Sequence, residues 1–344
     1  MSLLEPPTNR SAFRRLAFMI LWLIVLDPFV PPILHRLETW RYEGGTAFRF
    51  ENSDLFGLGP LVSYLREHPR GERRRVVFFG NSLIFGYLLD VADALPAQYE
   101  KQVPGTRVFN MAINGQETGT SYLVEKAIID SVDVIFVQEI SRKANPMLGS
   151  LIPVTSDDAR AFGLQMPDPA EHRMKEWLGR VWRLYGSNER LQAALFGTST
   201  RQYLYLNKRV ILKTLLGSRT RIDKASAPEP RERPVVLAPR APVAIARDRR
   251  TMSKDEQLVY ALADFTRAHR KRIVFLNFEY LGQQPRPEIA QFNAEYAPFA
   301  ERVVVMVPPT LIFDEQHLHE HGCRLVAAAL AKHELEAEKE LPRR

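Results

Sequence analysis

The chain is 344 residues long, 45% hydrophobic and 25% charged, an ordinary globular balance that allows one large domain or two modest ones. Its single cysteine, Cys323, excludes an internal disulfide and any thiolate cluster for zinc or iron–sulfur. The formal charge of +7 permits anionic partners, but the arginines are spread along the chain rather than gathered into a stripe, so nucleic-acid binding is not expected.

In chain order, Arg10, Arg14 and Arg15 precede the apolar run Leu16 to Leu26, and apolar residues resume after Asp27-Pro28 as far as Leu34. The whole run approaches the roughly 20 residues that cross a bilayer. Basic residues ahead of it favour an N-terminus left in the cytoplasm and a body beyond the membrane. The expectation is therefore a cytoplasmic tail and transmembrane helix over residues 1–36, with the rest periplasmic or at the cell surface. A cleaved signal peptide is one rival, although no A-x-A-like site follows and Pro28, Pro31 and Pro32 occupy its place. A buried or interfacial helix of a soluble protein is the other, favoured by Asp27, since a carboxylate in hydrocarbon is costly.

Beyond Gly44-Gly45, the spacing of Pro60 to Leu65 predicts a helix ending near His68-Pro69. Val76-Val77-Phe78-Phe79 reads as a buried strand that stops on Gly80-Asn81-Ser82. Helical spacing resumes from Leu88 to Tyr99, Val108 to Ala112 reads as a second strand, and Thr120 to Asp130 as a helix. Val132 to Val137 is a third strand. Strand and helix alternate as in βαβ units, which predicts an α/β fold with a parallel sheet covered on both faces in three layers.

That rhythm breaks over residues 141–269, where Trp177, Trp182, Tyr185, Tyr203 and Tyr205 stand in helix-like surroundings and are followed by Pro- and Arg-rich text such as Ala227 to Pro234. No internal repeat is visible. The stretch is expected to be a helical cap with a Pro/Arg-rich loop, inserted into a domain formed by 45–140 and 270–336. Strands return at Arg272 to Asn277 and Arg302 to Val307, and a helix with Leu325, Val326, Ala329 and Leu330 closes the chain.

A serine at a strand end is by itself a common turn residue. Asp314-Glu315-Gln316-His317-Leu318 changes its meaning. An aspartate three residues before a histidine can fix that ring's tautomer, leaving the other nitrogen to accept a proton from a hydroxyl. Gly115, just past the second strand in Asn110 to Gly115, lets a backbone N–H approach a reacting carbonyl unobstructed.

These three segments, in this order, resemble the SGNH, or GDSL-like, hydrolase superfamily, membrane-anchored cell-envelope esterases and O-acyltransferases included. Gly80-Asn81-Ser82-Leu83 is similar to its Gly-Asp-Ser-Leu block. Asn110 with Gly115 is similar to its second block, and Asp314, His317, Leu318 and Gly322 to its last. The resemblance covers roughly Arg74 to Val137 and Lys271 to Ala331. It implies a flavodoxin-like three-layer domain. Ser82 would be the nucleophile, His317 the general base and then acid, and Asp314 the group orienting His317. The Ser82 and Gly115 N–H groups would hold the oxyanion. No metal or other cofactor is implied.

One departure is clear. Members commonly carry Gly-x-Asn-Asp after the third strand, its Asn donating to the oxyanion, whereas here Val137 is followed by Gln138-Glu139-Ile140 and Asn145 is out of register. Membrane-tethered branches that acylate cell-envelope polymers often depart from the standard blocks. The expected activity is thus serine-dependent hydrolysis or transfer of acyl groups, acetyl foremost, on a cell-envelope glycan, with an acylated carbohydrate or small ester as substrate. The competing reading is a non-catalytic module of the same fold, binding a glycan or a membrane-bound acyltransferase. His319 and His321 read as helix-start residues rather than metal ligands, Asp133 and Glu139 as carboxylates too far apart along a strand to act as a pair, and Cys323 as a core residue.

Overall fold

The computed structural model describes residues 14, 17–18, 21–22, 24–44, 48–50, 55–68, 71–197, 199–201, 234–237, 249–280, 287–312 and 317–340. Seven strands form one sheet: β1 (Phe48–Arg49), β2 (Arg74–Phe79), β3 (Thr106–Asn110), β4 (Val134–Gln138), β5 (Val235–Leu237), β6 (Arg272–Tyr280) and β7 (Ala300–Val307). Their order is β1-β3-β2-β4-β6-β7-β5. All pairings are parallel except β5 on β7, which is antiparallel.

Near-continuous apolar text is what a parallel strand covered on both faces requires, because its side chains alternate between two cores. In β2, Val77 and Phe79 enter one core with Ile135, Val137, Ile273 and Phe275. Val76 and Phe78 enter the other with Val134, Phe136, Val274 and Leu276. Helices Leu58–Glu67, Thr118–Ile128, Lys254–Ala268 and Pro287–Tyr296 supply residues to the first core, and Leu95–Gln102 and Glu320–Glu340 to the second. The result is a three-layer α/β arrangement.

Much of the spanning helix expected over residues 1–36 lies outside the described residues. Among the described residues, no helix is long and apolar enough to cross a membrane. A 3₁₀ turn at Asp27–Phe29 leads into the helix Val30–Glu43, whose Val30, Leu34, Glu38 and Tyr42 are buried against the domain. Asp27 Oδ1 accepts a hydrogen bond from the Leu184 N–H at 2.9 Å, so the carboxylate that hydrocarbon would penalise has a polar partner in the protein.

The middle stretch 141–269 also contributes to the sheet and its core. β5 extends the sheet beyond β7, and Leu148, Ile152, Met252 and Val259 join the first core. The charges at the entry ends of the strands are paired. Arg272 Nε lies 2.9 Å from Glu334 Oε2 and its Nη2 3.0 Å from Glu301, while Arg75 meets Glu43 and Arg107 meets Glu100.

Chain connections from β2 run to β3 on one side, and those from β4 run to β6 on the other. The carboxyl ends of β2 and β4 therefore flank the point where the strand order reverses, the place where open α/β sheets leave a crevice.

Candidate active site

Ser82 opens a single helical turn, Ser82–Phe85, directly beyond β2. Four residues hold that turn in place. The Asn81 Oδ1 caps it by accepting from the Leu83 N–H at 3.0 Å. Gly86 closes it in the left-handed region at φ +79°, with Ala94 too near to admit a side chain. The amide of Asn110, at the end of β3, donates to the carbonyls of Ile84 and Phe85 at 3.3 Å each, and the Arg49 guanidinium donates to the carbonyls of Phe85 and Gly86. Asn110, matched above to the superfamily's second block, thus works here as a clamp on the serine turn.

His317 comes from the segment between β7 and the helix Glu320–Glu340. An isolated bridge between Ile312 and Leu318 folds that segment back on itself. Gly322 permits the fold, since a Cβ there would stand 2.6 Å from the Leu311 carbonyl. The His317 Nε2 lies 2.8 Å from Ser82 Oγ, although the two residues are 235 positions apart. The Tyr87 ring covers the imidazole at a centroid distance of 5.1 Å. Ser82 and His317 are both half-buried, open enough to be reached and covered enough to be held.

Asp314 lies outside the described residues. Gly115 has φ +74°, which is why glycine occupies it, and a side chain there would meet nothing within 4 Å. Its loop runs beside the serine strand, the Ile113 N–H donating to the Gly80 carbonyl at 3.1 Å. Gly115 lines a neighbouring cavity with Asn114, Gln116, Lys143 and Asn145 rather than the cleft at Ser82.

That cleft has a volume of about 220 Å³. Leu83, Phe278, Val307, Ile312 and Leu318 supply apolar walls, and Asn81, Ser82, Gln138 and Glu279 supply polar groups. Gln138 is the residue that the sequence reading passed over. It ends β4, and its Oε1 accepts from the Asn81 N–H at 3.1 Å. An N–H can be met only by the amide oxygen, so this contact fixes which way the amide points. Nε2 is therefore turned to the other side, where no protein acceptor for it occurs among the described residues. The signal in the sequence was position alone: Gln138 stands after the third strand, where the superfamily carries its Asn-bearing block.

Other candidates resolve into structural roles. Asn145 Oδ1 accepts from the Met147 N–H. Glu139 accepts from Arg302 Nε and Nη2 at 2.7 and 2.6 Å and from the Asn277 amide. Asp133 Oδ2 caps the Arg75 N–H across the sheet. The His319 Nδ1 accepts from the Gly322 N–H, which leaves Nε2 to donate to the Thr310 carbonyl, so this ring fastens the start of the terminal helix. Glu117 accepts from the Ser141 hydroxyl at 2.7 Å beside the start of its helix. Cys323 is buried, and burial pushes its thiol up to about 12.

No family model matches the sequence. No curated protein matches it either. Two solved structures of a two-domain esterase active on acetylated mannans align with the chain, at 11% identity and a TM-score of 0.32 for the one co-crystallized with mannopentaose, and 12% and 0.33 for the other. The alignments cover 88% of this chain but 59% and 57% of theirs, so the chain spans less than two thirds of that esterase. A superposition this loose carries no argument about activity, which has to rest on the site itself.

Proposed function

We propose that the chain is an acyl-ester hydrolase or O-acyltransferase of the SGNH type that works through a covalent acyl-serine at Ser82. The observation that carries this reading is the 2.8 Å contact between Ser82 Oγ and His317 Nε2 at the carboxyl edge of the sheet. A hydroxyl at that distance from an imidazole nitrogen can give up its proton as it attacks.

In this mechanism Ser82 Oγ bonds to the ester carbonyl carbon while its proton passes to His317 Nε2. The carbonyl becomes an oxyanion, held in this reading by the N–H of Ser82 and by Gln138 Nε2, while Gly115 stands at the neighbouring cavity. The tetrahedral species then breaks its bond to the alcohol, which leaves with the proton from His317. Water, or a second hydroxyl, attacks the acyl-serine and gives its proton to His317. Ser82 recovers that proton when its ester bond breaks. Asp314, in this reading, keeps the other imidazole nitrogen protonated.

Gln138 answers the missing Asn. Its donor is aimed by the bond that its own oxygen makes to the Asn81 N–H, next to the residue whose substrate it would polarise. The cleft's apolar walls suit a short acyl chain, and its polar rim suits a hydroxyl-rich alcohol. Acetyl esters of carbohydrates are accordingly the substrate class proposed.

The test is hydrolysis of a chromogenic acetate together with labelling by a fluorophosphonate probe. The expected result is labelling and turnover in the native chain and neither in Ser82→Ala, with His317→Asn abolishing turnover. Equal turnover in native and Ser82→Ala proteins would overturn the reading.

A further inference from the structure

The helix Pro169–Val181 has no buried residue. Its apolar side chains nevertheless fall on one stripe. Met174, Trp177 and Val181, at helical spacing, are 64%, 61% and 65% exposed. The opposite face is polar and neutralises its own acids, Glu171 through Lys175 at 2.8 Å and Glu176 through Arg180 at 3.8 Å. Arg173 and Arg183 add further positive charge along the same hairpin.

The stripe continues past the end of the helix. Trp182 and Tyr185 are both exposed, their rings stacked with centroids 6.1 Å apart. The next turn, Arg183–Gly186, folds back closely because Gly179 and Gly186 meet backbone to backbone, with no room for a side chain on either. The hairpin is bolted to the N-terminal segment at two points, the Leu184 N–H to Asp27 and Arg190 to the buried Glu38 at 2.7 and 2.8 Å. On the N-terminal side of Asp27 the chain exposes Phe18, Leu21, Trp22, Ile24, Val25 and Leu26. The hydrogen bond at Asp27 thus joins the hairpin that carries the stripe to the segment that exposes these apolar side chains, and together they supply the exposed apolar surface.

We propose that this patch rests on an anionic phospholipid bilayer, with the helix Pro169–Val181 lying in the interface plane. An exposed apolar stripe, tryptophan and tyrosine at its border, and an excess of basic over acidic side chains beside it are what a headgroup layer accommodates. A protein partner would satisfy the apolar area but would give no reason for the cationic surround. The proposal is independent of the chemistry assigned to Ser82.

The test exploits Cys323, the chain's single cysteine, which is buried and so spares exposed positions for selective labelling. An environment-sensitive fluorophore is placed on the full chain at Val181→Cys. A control label goes at Lys332→Cys, on the helix Glu320–Glu340, which packs on the opposite face of the sheet from the helix Val30–Glu43. Vesicles contain phosphatidylcholine with phosphatidylglycerol, with and without a spin label near the headgroup end of the acyl chain. The expected result is quenching and a blue shift at position 181, neither at position 332, and loss of the effect at 181 when phosphatidylglycerol is omitted at moderate salt. Equal emission at 181 with and without the spin-labelled lipid overturns the proposal, as does failure of the chain to float with vesicles. A blue shift that tracks protein concentration rather than lipid would assign the patch to a second copy of the chain, and also overturns it.

Discussion

Gln138 and Asn81 sit at the ends of adjacent strands, and the glutamine oxygen accepts the asparagine N–H at 3.1 Å. The side chain is thus anchored by one end of its amide and lines the Ser82 cleft. If Nε2 donates to the oxyanion, Gln138→Ala should lower kcat about 10²- to 10³-fold and leave KM close to its native value, because the donor acts mainly in the transition state. Gln138→Glu keeps the shape but puts a carboxylate where negative charge develops, so it should be at least as impaired. Steady-state kinetics on a chromogenic acetate decide this, and a kcat within twofold of native in Gln138→Ala would exclude the role.

Gly80 tests the same anchor from the other side. A Cβ there would stand 2.6 Å from Ile84 Cγ1 and 2.7 Å from Gln138 Oε1. Gly80→Ala must therefore push both the serine turn and the amide. Overpacking of this kind costs about 1–3 kcal/mol, and turnover should fall by about as much as in Gln138→Ala. Denaturant titration and kinetics on the same preparation separate the two effects. Retained stability together with native kcat would show that the turn tolerates the shift and that Gln138 is not held as described.

The contrast between what sequence displayed and what it hid follows the range of the interactions. β2, β3, β4, β6 and β7 were legible because each is a run of buried residues bounded by turn-formers, a local pattern. β5 was not, since three residues in Pro- and Arg-rich text show no periodicity, and what makes them a strand is the free edge of β7. The last part of the N-terminal apolar run was ambiguous for a related reason. Hydropathy cannot tell a side chain facing lipid from one facing a core, and Val30 and Leu34 face the core. In the site, Ser82 and His317 were legible only jointly, through the order of three short segments. The orientation of Gln138 was not legible because it is set by an N–H just beyond the end of a neighbouring strand.

The entry ends of the strands carry buried ion pairs. Glu334 is 1% exposed and accepts from Arg272 Nε at 3.1 and 2.9 Å, with Arg74 at 3.0 Å. Removing one partner of a buried pair leaves an uncompensated charge, which typically costs about 3–5 kcal/mol. Arg272 keeps Glu301 and the Pro298 carbonyl, so Glu334→Ala should lie near about 3 kcal/mol. Urea unfolding measures it. A loss under about 1 kcal/mol would mean that the pair behaves like one at the surface.

Glu125, on the helix Thr118–Ile128, contributes a pH dependence to folding. Burial pushes its carboxyl up to about 8, against a hydrogen bond from the Thr266 hydroxyl at 2.5 Å that pulls it the other way. Between the unperturbed value of 4.5 and about 8, the native state holds a proton that the unfolded state has released. Stability must therefore fall as pH rises across that window, and be insensitive to this group below and above it. Glu125→Gln removes the titration while keeping the shape. The variant's unfolding midpoint should change less than the native one between the two ends of the window, and should exceed it near the upper end. It should fall slightly below the native value at the lower end, where its amide N–H meets the site of an oxygen that has no partner. Urea midpoints at both ends for native and variant proteins provide the check, and parallel pH profiles would show that Glu125 is already ionised in the folded protein.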